Sequence, residues 1–252
     1  NKILKEALRE DALEPGREGY PVGALFALKT AGLDEEGYPM FEGKDGKAVS
    51  AMEFFKLQEW GFGATDLTAR ERRELYTYVG TADCPYTGGF NNTFTYKAFE
   101  LGVNFSFDFG GKVRSQPTYS IVDFDKGRNT NRDILNRWTP ENTETIFPVL
   151  LSQNERLDEY MWYSNQNEIY RNLDIWIRDL NYVRLQNIRL GYTLPTNFSR
   201  KLGMTSATIA IEGRNLLVFG SSYKNYLDPE TMSNAYATPA PKSVTLSLNL
   251  NF

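Results

Sequence analysis

The stretch that most restricts this chain is Lys242-Ser-Val-Thr-Leu-Ser-Leu-Asn-Leu-Asn-Phe252. Val244, Leu246, Leu248, Leu250 and Phe252 are apolar, whereas Ser243, Thr245, Ser247, Asn249 and Asn251 between them are small and polar. Side chains alternate across a strand, so the stretch predicts a strand with one apolar and one polar face. In a soluble protein the apolar face would meet a core, and that reading fits this strand taken alone. The run is unbroken, however, for about the length a tilted strand needs to cross the hydrocarbon of a bilayer.

The same pattern recurs between Gly88 and Val113. Phe90, Asn92, Phe94 and Tyr96 alternate with Asn91, Thr93 and Thr95. After a break at Lys97-Ala98, Phe99, Leu101, Val103, Phe105, Phe107 and Phe109 alternate with Glu100, Gly102, Asn104, Ser106 and Asp108. This predicts a hairpin with a tight turn and a long second strand. Its apolar face is a row of large side chains, mostly Phe. A membrane explains that uniformity better than a core, which must interlock large with small. Ile188, Leu190, Tyr192 and Leu194 give another apolar face, and Ala207, Ile209 and Ile211 a further one opposite Thr208, Ala210 and Glu212. Tyr20–Lys29 is a strand candidate of mixed regularity.

Between these strands the spacing is uneven. Lys97-Ala98 and 195–204 are short connections, whereas 115–180 and 220–241 are long. Short turns on one side and long loops on the other is the plan of outer-membrane barrels. The expected fold is therefore all-β, an antiparallel set of transmembrane strands with long extracellular loops that carry short helices. Thr68-Ala-Arg-Glu71 has the form of a capping box and predicts one such helix, and Ser152-Gln-Asn-Glu155 predicts another. Phe54, Phe55, Leu57 and Trp60 also lie near helical spacing. Gly32–Pro39 and Gly43–Gly46 read as turns.

Composition narrows the function. The net charge is −4, which disfavours nucleic acid as a partner. There is no His, the commonest general base and metal ligand, and a single Cys, Cys84, so no intrachain disulfide can form. No nucleophile has a base at hand, so an enzyme is not expected. The chain begins at Asn1 without an initiator Met, and residues 1–252 are expected to be the C-terminal part of something longer.

Several segments resemble a known family. They are Asn181-Tyr-Val-Arg-Leu-Gln-Asn-Ile-Arg-Leu-Gly-Tyr-Thr-Leu-Pro195, Gly213-Arg-Asn-Leu-Leu-Val-Phe219 with Asp228-Pro-Glu230, and Gly88–Lys97 followed by Phe99-Glu-Leu101. Arg137-Trp138-Thr-Pro140 near Pro148 is a further match. With the terminal strand, they fall in the right order for the SusC-like TonB-dependent transporters of the Bacteroidetes outer membrane. The resemblance implies a plugged barrel of about 22 strands, of which this chain would supply the last several. It also implies import of a large nutrient, typically an oligosaccharide and sometimes a peptide. Implied partners are the plug and remaining strands, a SusD-like lipoprotein lid, and TonB-ExbB-ExbD acting through the missing part. A dimer of transporter–lipoprotein pairs is implied as well.

Candidate residues follow. In the 115–180 loop, Trp138, Trp162, Tyr163 and Tyr170 offer rings to a lid, to loop packing or to cargo, with lid contact or packing preferred over cargo. Glu100, Asn104, Asp108, Asn249 and Asn251 are expected to face the lumen. Asp123, Asp125 and Asn129 offer oxygens of the kind calcium takes, but the residue at the position of an EF-hand's final Glu is Ile134, and Arg128 and Arg132 oppose a cation. A solvated loop is preferred there, and no cofactor is expected. Two rival readings stay open on the residues alone: a soluble all-β carbohydrate-binding module, and a passive outer-membrane pore.

Overall fold

The alternating segments assemble into one sheet. In the computed structural model, residues 2–4, 16–43, 45–58, 65–115, 127, 132–150, 172–220, 228–232, 234 and 237–252 are described. The chain divides into two units, Asn1–Ala82 with Arg114–Ile177, and Asp83–Val113 with Arg178–Phe252.

The second unit holds the sheet. Its strands are β6 (Tyr86–Tyr96), β7 (Phe99–Arg114), β8 (Ile177–Thr193), β9 (Ser206–Phe219) and β10 (Ser243–Asn251), hydrogen-bonded in the order β10-β9-β8-β7-β6. Each strand therefore lies beside its sequence neighbour. Register sets one face against the other, because opposed residues share a face. Phe90 pairs with Phe105 and Phe94 with Leu101, while Asn91 pairs with Asn104 and Thr95 with Glu100. Ile211 lies between Leu246 on one side and Leu190 on the other, and Ile209 between Leu248 and Tyr192. Apolar rows thus run across the sheet.

These rows are bare. Leu246 is 75% exposed, Phe94 57% and Ile211 48%. An uncovered apolar face of this extent has no place in a soluble sandwich, whose inner faces bury each other. Among the described residues no helix is long and apolar enough to cross a membrane, a fact that says nothing about strands.

The connections differ in kind. Tyr96 pairs with Phe99, leaving Lys97-Ala98 as a two-residue turn with Lys97 at φ 53. From β8 to β9 the chain passes through a short helix, Thr196–Lys201. The β8–β9 register slips between Leu185 and Asn187, opposite Asn215, which sits at φ 53. That extra residue is a β-bulge, a device that bends a strand and re-aims its side chains.

The first unit is built around aromatic burial. β1 (Ala24–Leu28) pairs with β5 (Tyr76–Thr81), and β2 (Thr30–Leu33), β3 (Pro39–Glu42) and β4 (Ala48–Val49) form a second small sheet. Helix α1 (Ala51–Phe54) is capped by Ser50, and α2 (Ala69–Glu74) by a capping box between Thr68 and Glu71. Phe26, Leu28, Phe41, Phe55, Tyr76, Leu173 and Trp176 form the core. The Phe41 ring stacks on Phe54 at 4.8 Å and meets Phe55 edge-on at 5.2 Å. The Arg17 guanidinium lies 3.9 Å from the centre of the Phe26 ring and donates to the Tyr76 carbonyl at 3.0 Å, closing the edge of this core.

Some expectations need correcting. The 20–29 candidate does not join the meander. Phe26, Ala27 and Leu28 are buried in succession rather than alternately, the mark of a strand enclosed on both faces, and it pairs with β5, which sequence periodicity missed. Strand β8 starts at Ile177, so 177–180 leave the long loop, and Trp176 is a core residue. Gly32-Leu33 and Pro39 lie in strands, with the turn confined to the residues between. The helix expected from Ser152 lies outside the described residues, as does Trp60.

Candidate transport surface and its loop latch

The polar face of the sheet carries the described functional candidates from the strands. Glu100 accepts from Arg189 at 3.0 Å across β7 and β8. Asn104 lies opposite Asn91 and is exposed. Asn249 lies opposite Thr208, and Asn251 donates to the Ser206 hydroxyl at 2.8 Å. Gln186 donates to Ser106 at 2.8 Å, and Asn187 to Glu212 at 2.6 Å. Paired charges and amides that stay partly exposed fit a wet face, where solvent can supply the remaining hydrogen bonds.

Asp108 belongs to a larger cluster. It accepts from the Tyr182 hydroxyl at 2.6 Å, and the same hydroxyl lies 3.1 Å from Glu230. Glu230 also accepts from Arg184 Nε at 2.9 Å, while the other arm of that guanidinium binds Asp228. One phenol and one guanidinium thus gather three carboxylates. The Arg184 side chain is 1% exposed and that of Asp228 6%.

Local sequence explains the Asp228 geometry. Asp228-Pro229-Glu230-Thr231 forms a β-turn, with Thr231 N–H donating to the Asp228 carbonyl at 2.9 Å. Asp at the first and Pro at the second position are favoured in such a turn. The Asp228 carboxylate also accepts from the Glu230 N–H at 3.0 Å and the Ala240 N–H at 3.2 Å. Burial pushes this carboxyl up, but the Arg184 hydrogen bond and those two backbone N–H groups outweigh it and hold it below the usual carboxylate value. Met232 is buried beside the turn. The result is a latch fixing the described part of the β9–β10 connection to β8.

In the sequence Asp228 and Glu230 stand out as a motif, and nothing in their spacing pairs them with Arg184. A signal was present: Arg184 interrupts Tyr-Val-Arg-Leu, and a cation flanked by apolar residues needs a partner.

The remaining candidates divide. Trp138 is half-buried in the first unit, where its ring covers Gly37: a Cβ there would come within 2.5 Å of the indole, at φ +85. Its backbone N–H donates to the Phe147 carbonyl at 3.0 Å. Trp162, Tyr163 and Tyr170 lie outside the described residues, as do Asp123, Asp125 and Asn129. Among the described residues no group of carboxylates and Cys is arranged to hold a metal. Cys84 is a free thiol whose pKa is pushed up by burial and by the Asp108 charge.

Bare apolar rows on one face, a polar network on the other and a meander with unequal connections define a segment of transmembrane outer-membrane β-barrel. Comparison with known proteins agrees. No family model matches the chain. A TonB-dependent receptor of Formosa agariphila is 26% identical over 94% of this chain and 23% of its own length. A second receptor from the same organism is 28% identical over 65% of this chain and 16% of its own. Among solved structures, the RagAB peptide transporter matches with a TM-score of 0.62 and 22% identity, over 94% of this chain and 24% of its own. The RagAB peptide importer in an open-open state gives a TM-score of 0.61 and 21% identity, over 94% and 23%. The chain thus spans about a quarter of the length of these proteins. The resemblance to SusC-like TonB-dependent transporters holds, and with it the location in the bacterial outer membrane.

Proposed function

We propose that this chain forms barrel strands of a TonB-dependent transporter that imports a large nutrient across the outer membrane. The observation that carries the proposal is the five-stranded meander with an exposed apolar face and a hydrogen-bonded polar one. Similarity to TonB-dependent receptors along most of the chain supports active import over a passive pore. The solved relatives are a peptide importer, and the cargo here is an oligosaccharide or a peptide. A SusD-like lipoprotein closes the outer mouth, TonB-ExbB-ExbD drives entry through the plug, and two transporter–lipoprotein pairs assemble together. Glu100, Asn104, Asp108, Asn249 and Asn251 face the lumen, and Trp138, Trp162, Tyr163 and Tyr170 meet the lid or the cargo.

The test is purification of the native protein from detergent-extracted outer membranes, followed by intact-mass analysis of what accompanies it. A plug-bearing polypeptide and a lipoprotein in stoichiometric amounts are expected. Recovery of the chain in the soluble fraction without detergent would contradict the proposal.

A further inference from the structure

We propose that the described part of the β9–β10 connection, residues 228–232 with 237–241, does not project away from the barrel but folds inward over the polar face, where it narrows the transport passage. The inference rests on the transporter reading above, because it equates the polar face with the lumen.

The direction follows from the latch partners. Asp108 lies on β7 opposite Thr87, on the face that also holds Glu100 and Asn104, and away from the flanking Phe107 and Phe109. The Tyr182 hydroxyl bonds Asp108, so it reaches that same face, and Glu230 meets that hydroxyl as well as Arg184. A loop standing out from the sheet edge could not place Glu230 against a phenol bonded to β7. Burial agrees. Asp228, Pro229 and Met232 are covered, and Arg184 beneath them is sealed from water.

The loop is held rather than resting there. Truncating one member of a buried ion pair leaves the other charge without compensation, so the pair resists opening. Asp228 joins Arg184 to the N–H groups of Glu230 and Ala240, and so fixes both ends of the described loop segment at one point. Glu230 keeps 42% of its side chain exposed, and Asn234 and Thr238 are exposed as well. These are the groups that the loop offers to whatever moves past. The inward loop is a size-restricting element, and Arg184 and Asp228 act as positioning residues.

The test uses the full-length transporter in the outer membrane of intact cells that lack the lipoprotein lid, so that the lid cannot itself screen out the larger reagent. Cys84→Ser removes the thiol of this chain, any other thiols of the full-length protein are replaced in the same way, and Thr238→Cys places a reporter on the loop. Two membrane-impermeant maleimides are compared, one small and one joined to a bulky polymer. An inward loop reacts with the small reagent but several-fold more slowly with the polymer, and Arg184→Met or Asp228→Asn abolishes the difference. Equal rates with both reagents in the latched protein would overturn the inference, as would a difference that survives unlatching. If Arg184→Met fails to insert, Asp228→Asn carries the comparison, since it leaves Arg184 bonded to Glu230 and removes the charge that fixes the loop. Failure of the transporter reading shows separately: the protein would be absent from the outer-membrane fraction, or uptake would persist without TonB, whatever the labelling ratio.

Discussion

The two units use similar residues in opposite ways. In the first, Phe26, Phe41, Phe55, Tyr76 and Trp176 are buried together, each less than 5% exposed. In the second, Phe90, Phe94, Phe99, Leu246 and Leu248 stand open on a sheet, each more than 40% exposed. Burial from water stabilises the first arrangement at roughly 25 cal/mol per Å² of apolar surface. The second gains nothing from water and is stable only where the surroundings are themselves apolar. One chain thus carries the physics of two solvents. Polarity is reversed accordingly: charges lie on the rim of the aromatic core but form a network across the wet face of the sheet.

The comparison can be broken first where packing is densest. Trp176→Ala should cost about 3–5 kcal/mol in the first unit, the usual range for deleting a buried large aromatic. Protease nicking between residues 24 and 81 would report it, and an unchanged digestion pattern would show that this core is not what holds the unit.

The latch comes next. Asp228→Ala should cost about 3 kcal/mol locally, because it leaves the buried Arg184 charge with only the half-exposed Glu230 as a partner. Hydrogen exchange at Glu230 and Ala240 should rise while the β9–β10 ladder stays protected. Acid acts on the same contact. The Asp228 pKa is lower in the folded protein than in the unfolded chain, so its contribution is complete above the ordinary value of 3.8 and is lost as pH falls through the folded pKa. The protection factors of these two amides, taken relative to the intrinsic exchange rate at each pH, should therefore fall at strongly acidic pH and stay constant near neutrality.

On the bare face the expected effect is smaller and depends on solvent. Leu248→Arg should destabilise the barrel by about 2–4 kcal/mol if the position lies near the bilayer midplane, whereas Asn249→Arg should cost little. Urea unfolding of the full barrel in vesicles measures both, and equal costs would remove the distinction between the faces. The smallest effect is at the tight turn. Lys97 holds a positive φ, so Lys97→Gly should stabilise the hairpin by about 1 kcal/mol or less.

The legible parts of this chain were those governed by local rules. Period-two alternation placed β7, β9 and β10, the Thr68 capping box placed α2, and the break at Lys97-Ala98 placed the turn. What escaped were relations between distant residues. The pairing of β1 with β5 joins a continuous apolar run to a segment about fifty residues away, and neither has a period to reveal it. The β8–β9 slip opposite Asn215 has no compositional sign beyond a single Asn. The Arg184–Asp228 pair spans forty-four positions, and only the third dimension brings a strand cation to a turn carboxylate. Family likeness marked both segments as motifs without saying that they touch.

The most direct test of the two-solvent reading is a cysteine scan along β10 in the full transporter, embedded in vesicles and labelled with a polarity-sensitive fluorophore. Lipid-borne nitroxides should quench probes at Val244, Leu246, Leu248 and Leu250 and spare those at Thr245, Ser247 and Asn249. Alternating quenching is the expected result. Water-like emission at every position, unaffected by lipid nitroxides, would place the strand in a soluble domain and contradict the membrane assignment.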